Sequence, residues 1–506
     1  MGDPATVTIR RQVLEVDLQG SEADGLVLQR RLPRVCADVL AAAIETALGP
    51  IDPGDGYICI DRLAIDVTLD SIAGLDGLDG ELAGAVQREL AEHFRRHPLH
   101  PPAWSVGGLA PGGRPASGER LAPGGSDGRA GPAGPGGPGG LDGSGEVRHR
   151  TNAQTVDAAL DTFLRTGRLP WSFRLPPDRA LEDMVQDAWH GAWGHRDPPP
   201  ATRDRLRMVL AHPHVRERLA IQFTPGFVMA VLCCLSPNAA AVLAGVEAAL
   251  NDAVPASPAS RSFIRQVRVT AIEAAVAGHR PLSSSLVRFA WTALSPAARA
   301  DHTLAAALER EWPASTGSAP VPVQAAEPAP SRPEARPDAG EIGGLLVDCA
   351  GIVLLHPFLP RFFEGLGIAA ESELIDPGRA VCLLHHLATG DLMAPEHRET
   401  LAKALCGLPL EQPVEADVGL TDAETAEATA LLEAAIRHWE ALRSTTPDGL
   451  RAEFLQRPGV LSATSGGDWL LRVETRTADI LLDRLPWGFS PVWLPWMSHL
   501  MMVEWR

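Results

Sequence analysis

Cys382, His385, His386, His397 and Cys406 fall close together in one stretch of the chain. Thiolates and imidazoles are ligands of zinc, and Cys382 and His385, three residues apart on a helix, can face the same ion. The spacing nevertheless matches none of the compact structural-zinc patterns. The apolar run around these residues accounts for them equally as packed helix. Cys233 and Cys234 are neighbours and would form a redox pair only in a strained geometry; two buried small hydrophobes fit the surrounding sequence better. None of the sixteen His stands in HExxH, and no GxSxG elbow or GxxxxGK[ST] loop occurs. Carboxylate pairs such as Asp61 and Asp66 fit the solvated face of a strand. The residues therefore assign no catalytic position, no metal ligand and no cofactor, and the chain reads as a non-enzyme.

Composition narrows the partners. The 506 residues carry a net charge of −18, which disfavours phosphate backbones and anionic lipid surfaces. No nucleic-acid partner is expected. At 45 % apolar residues there is ample material for packed cores. Lys403 is the only lysine, and Arg supplies the other positive side chains. The longest apolar stretch, Ile342 to Phe363, is interrupted by Asp348, His356, Pro357 and Pro360, so it reads as buried helix and not as a stable membrane span. MGDPATVTIRRQ has no apolar export segment, and its loose fit to a myristoylation pattern is ascribed to chance. The seven Cys are irregularly spaced, which argues for reduced thiols and a cytoplasmic setting.

Periodicity predicts an α+β chain, mainly α, in separate blocks. Residues 1–104 read as a strand–helix–strand–helix domain. Leu14, Val16 and Leu18 alternate as one strand, and Leu63, Ile65, Val67 and Leu69 as another. Cys36, Leu40, Ile44 and Leu48 mark the first helix face, and Leu82, Val86, Leu90 and Phe94 the second. Residues 105–146 hold almost no apolar side chains, so 105–147 is assigned as a disordered Gly/Pro-rich linker. Residues 148–312 read as a domain of short helices, with Val156, Leu160, Phe163 and Leu164 on one face. Residues 313–340 are a Pro/Ala-rich linker.

Residues 341–506 are expected to begin as helices and to end in a small sheet. Trp469, Leu471 and Val473 alternate, as do Met501, Val503 and Trp505, and Asp479–Asp483 is a candidate third strand. Leu-Pro-Trp occurs three times, ending at Trp171, Trp487 and Trp496. A rigid Pro beside a large amphipathic ring suits a core anchor or an aromatic contact for a partner subunit.

Several words recur in one order: IDRLAIDV at 60–67, FLRTGRLPW at 163–171, HPHVRERLAIQF at 212–223, DCAGIVLLHPFLPRFFEGLGI from Asp348, and the ending LPWGFSPVWLPWMSHLMMVEWR. In this order they resemble the tape-measure protein family of contractile injection systems, the phage-tail-like particles of bacteria. The resemblance implies a structural role, with length control of tube and sheath during assembly. It implies tube, sheath or baseplate proteins as partners, and a place in the cytoplasm during assembly and then inside the particle. An assembly chaperone or baseplate adaptor that leaves the particle is the alternative within the same biology. A cell-wall or effector enzyme is the alternative of another class, and would need a polar cleft.

Overall fold

The computed structural model describes β1 (Gly56–Ile60), isolated helical positions between 42 and 92, and residues 147–170, 172–176, 179–193, 200–254, 257–313, 344–442, 444–464 and 466–505. Two compact units are formed, Met1–Val156 and Asp157–Arg506. In the first, β1 pairs antiparallel with β2 (Val147–Thr151), from Gly56↔Thr151 to Ile60↔Val147. Ala42, Ile44 and Thr46 are helical, as are Gly84, Ala85, Gln87, Arg88, Ala91 and Glu92, within the two helices expected from the sequence. The strands expected at 14–18 and 63–69, and residues 105–146 and 314–340 of the two assigned linkers, lie outside the described residues.

From Asn152 to Glu311 the described backbone is helical: α1 (Asn152–Thr166), α2 (Leu181–Trp193), α3 (Pro200–Val209), α4 (Pro213–Gln222), α5 (Pro225–Leu235), α6 (Pro237–Ala253), α7 (Pro258–Val276), α8 (Ser283–Ala293), α9 (Pro296–Arg299) and α10 (His302–Glu311). The frequent prolines do not break these helices; they start them. Proline at the first helical position loses only an N–H that has no partner there, and its fixed φ already suits the helix. In front of α5, α6 and α7 the side chains of Thr224, Ser236 and Ser257 accept from Phe227, Ala239 and Ser260 backbone N–H groups. α7 runs through the middle of this layer and buries Phe263, Val267, Ala271, Ile272 and Ala275. On α5, Cys234 is buried but Cys233 is exposed, so only one of the adjacent thiols is a core hydrophobe.

The C-terminal segment opens with a strand, not a helix. β3 (Leu345–Val347) leads into a 3₁₀ turn (Ala350–Leu355), α11 (Leu359–Gly365) and a two-strand ribbon, β4 (Ala369–Ala370) with β5 (Glu373–Leu374). Then follow α12 (Pro377–Thr389), a 3₁₀ turn (Glu396–Arg398), α13 (Thr400–Leu405), α14 (Asp422–His438) and α15 (Pro447–Leu450). β6 (Gly459–Ala463), β7 (Trp469–Val473) and β8 (Met501–Glu504) close the chain. The sheet order is β3-β6-β7-β8, with β7 and β8 parallel and the other pairs antiparallel. Val347, Leu461, Leu471, Val473, Met501 and Val503 face the helices and enter one core with them. The mainly helical α+β class and the terminal sheet are as the sequence predicts.

Asp479–Asp483 is not a strand. It lies in a 3₁₀ helix, Thr477–Arg484, because burial falls on Asp479 and Leu482, three residues apart, and the Asp479 carboxylate accepts from the Arg476 backbone N–H at the helix start. Arg457, fully buried, donates to the same carboxylate and holds the turn in place.

Candidate functional site

Arg218 on α4, Glu396 in the 3₁₀ turn and Lys403 on α13 form a charge centre inside the second unit, with side chains at most 2 % exposed. Arg218 meets the Glu396 carboxylate with both arms of its fork, Nε to Oε2 at 2.9 Å and Nη2 to Oε1 at 3.1 Å. Lys403 Nζ donates to the same Oε1 at 2.5 Å and to the Leu410 carbonyl at 3.1 Å. Arg218 also donates to the Leu164 carbonyl at 2.5 Å and to that of Glu411. A planar fork matches a carboxylate edge, whereas a compact ammonium fits the remaining gap between one oxygen and one carbonyl. Burial holds the Lys403 amine below its ordinary range, against the opposing pull of Glu396.

The backbone is shaped around this carboxylate. Gly167, just past the end of α1, has φ +73°, and a Cβ there would collide with Glu396 Oε1. Only glycine satisfies both conditions. Gln222, one helical turn beyond Arg218, accepts from the Glu396 N–H at 3.2 Å and donates to the Val414 carbonyl at 2.5 Å.

These donors also fix the segment between α13 and α14, which has little regular structure. Arg218 reaches it at Glu411, Gln222 at Val414, and Arg265 on α7 at the Glu415 carboxylate. From the other side Cys382 Sγ donates to the Glu415 carbonyl at 3.4 Å, the Ala394 N–H to Ala416 at 2.8 Å, and Arg379 to Gly419 at 3.1 Å. Arg379 and Glu424 then close a further ion pair that lowers the Glu424 carboxyl to about 2. The segment 409–420 is thus a strap between the helical layer 157–312 and the block 344–505. Asp157–Arg506 forms one compact unit.

The Cys and His residues singled out in the sequence lie beside this centre without converging. Burial, with Glu399 nearby, pushes the Cys382 thiol up to about 12 and the Cys406 thiol higher still, which keeps both protonated and unreactive. His385 Nδ1 is 2.7 Å from Glu399 Oε1, at contact distance but without aligned hydrogen-bond geometry. His386 Nδ1 pairs with the Asp391 carbonyl at 3.2 Å, and the His397 ring meets Phe163 edge to face. Among the described residues no three His, Cys, Asp or Glu side chains gather as a metal site.

Of the Leu-Pro-Trp words, Trp171 lies outside the described residues. Trp487 and Trp496 are partly buried against the core and spend their indole N–H groups internally, on the Leu354 and Leu405 carbonyls at 2.9 Å each. The charge centre escaped the sequence reading, although one signal pointed to it. Lys403 is the chain's only lysine, and it is buried, as are Arg218 and Arg457.

No curated protein and no solved structure matches the chain. The model of the contractile injection system tape measure protein family matches residues 6–505, nearly the whole length, and the chain belongs to that family.

Proposed function

We propose that this chain is a non-enzymatic structural component of a contractile injection particle that sets the length of tube and sheath during assembly. The observation that carries the reading is the family match across residues 6–505. The chemistry of the charge centre agrees with it: Arg218, Glu396 and Lys403 satisfy one another and nearby carbonyls, which is the work of a scaffold. Tube, sheath or baseplate proteins are the partners, and assembly takes place in the cytoplasm before the chain is enclosed in the particle. Among the described residues no helix is long and apolar enough to cross a membrane.

The test is deletion of the coding sequence in a producing strain, followed by electron microscopy of the particles. Loss of particles, or a broad spread of tube lengths, is expected. Particles of normal, uniform length would overturn the reading. Quantifying the chain in purified particles separates a resident component, present at fixed stoichiometry, from a chaperone or adaptor that departs.

A further inference from the structure

Within the compact unit Asp157–Arg506 the apolar core of the C-terminal block stops at the helical layer. That core takes every member from residues 345–505, and helices α1–α10 contribute none. The helices pack instead around α7, which buries Phe263, Val267 and Ile272. Among the described residues no extensively packed pair of elements joins the two sides. The strap 409–420 and the turn Glu396–Arg398 join them, and their contacts are sorted by chemistry. Leu410 and Val414 of the strap enter the C-terminal core, whereas Glu411 and Glu415 turn to the helices. Three ion pairs cross the seam with the arginine on the helical side and the carboxylate on the other: Arg168 with Glu411 at 3.5 Å, Arg265 with Glu415, and Arg218 with Glu396. Beside them Phe163 sets its ring edge to face with His397.

We propose that this seam is an acid-released joint, at which the helical layer and the C-terminal block come apart as two bodies that both stay folded. Apolar burial inside each body does not titrate, whereas the seam depends on charge. Proton uptake by Glu411 or Glu415 removes the anion that Arg168 or Arg265 faces. At Glu396 it leaves Arg218 from α4 and Lys403 from α13 as two buried cations with no anion between them. His397 acts in the same direction. Burial, and then Arg398, lowers it to about 4, with His385 adding to the shift and Asp348 opposing it. Withdrawal of Phe163 relieves part of that burial, so the open form takes the proton more readily and acid favours opening. The covalent connection does not forbid separation: residues 314–343, at ~3.3–3.6 Å each, permit a distance on the order of 100 Å.

The experiment compares three full-length proteins: wild type, Arg168→Glu with Arg265→Glu, and that pair combined with Glu411→Arg and Glu415→Arg. Both arginines are partly exposed, so reversing them disturbs the seam without emptying a core. Hydrogen exchange by mass spectrometry and small-angle scattering are recorded at neutral pH and at about pH 4.5, between the folded and ordinary values of His397. The reporter is the Glu396 amide, whose partner Gln222 lies across the seam. In the charge-reversed protein at neutral pH its exchange should rise about tenfold and the maximum dimension should grow, while α7 and β7 keep their protection. The four-residue charge swap should restore wild-type exchange. Wild type at about pH 4.5 should show the same opening as the charge-reversed protein. Unchanged exchange and dimension in the charge-reversed protein overturn the proposal. Loss of protection in α7 or β7 together with the Glu396 amide overturns it too, because the unit then opens only by unfolding. So does a wild type that stays closed in acid.

Discussion

Glu396 is satisfied from two sides, and this predicts unequal costs for its partners. Arg218→Ala leaves a buried carboxylate facing only Lys403, and should cost about 3–5 kcal/mol. Lys403→Met leaves the bidentate pair intact and should cost clearly less. Lys403→Arg keeps the charge but forces a larger planar group into a fully packed gap, which should cost roughly 1–3 kcal/mol. Denaturant unfolding of the three variants checks the order; a Lys403→Arg protein as stable as wild type would show that the gap is not shape-selective. His397 gives a pH signature. Burial, reinforced by Arg398, lowers its folded pKa from 6.5 to about 4. The unfolded chain therefore binds the extra proton first. Stability is full above pH 6.5 and is lost as pH falls toward 4, by up to about 3 kcal/mol. Glu424 acts in the same sense lower down, between 4.5 and about 2. His397→Gln should flatten the decline between pH 6.5 and 4 in melting curves, and an unchanged decline would remove His397 as its source.

At the scale of elements, the C-terminal turn is docked on the end of α13. Gly407 there has φ +67°, and a Cβ would lie 2.8 Å from the Trp496 carbonyl, while Trp496 Nε1 donates to Leu405. Gly407→Ala combines left-handed strain with a steric clash and should cost on the order of 1–3 kcal/mol. Trp496→Phe retains the ring beside Phe363 and loses one hydrogen bond, about 1 kcal/mol. Calorimetry of the two proteins distinguishes them. What was legible in the sequence followed from local period. β8 alternates cleanly, β7 does so from Leu471 to Val473, and α1 buries Val156, Leu160, Phe163 and Leu164 as its spacing requires. Asp479–Asp483 misled because five mixed residues fit either period, and the deciding contact with Arg457 comes from 22 residues away. The charge centre was illegible for the same reason on a larger scale: Arg218 and Glu396 are 178 residues apart, and no periodic pattern reports such a pairing.

For the molecule as a whole, the proposed function raises the question of how a chain built this way would set length. Its longest described helix, α7, has 19 residues and rises only about 28 Å. A helical ruler is therefore not found among the described residues. If residues 105–146 were a taut spacer, deleting them would shorten tubes by up to ~3.3–3.6 Å per residue removed. Its sequence, almost without apolar side chains, predicts that deletion leaves tube length unchanged in micrographs; shortening in proportion to the deletion would overturn that expectation. A chelator should likewise leave the melting temperature unchanged, since a structural zinc would contribute about 10 kcal/mol or more to folding. The sole lysine has a separate consequence for anyone handling the protein. Lys403 is 1 % exposed and its ε-amine is engaged by Glu396 and Leu410, so amine-directed labels and crosslinkers cannot reach it in the closed fold. Acylation at Lys403 must wait for the strap and α13 to open, which makes its rate a built-in clock for opening of the native state.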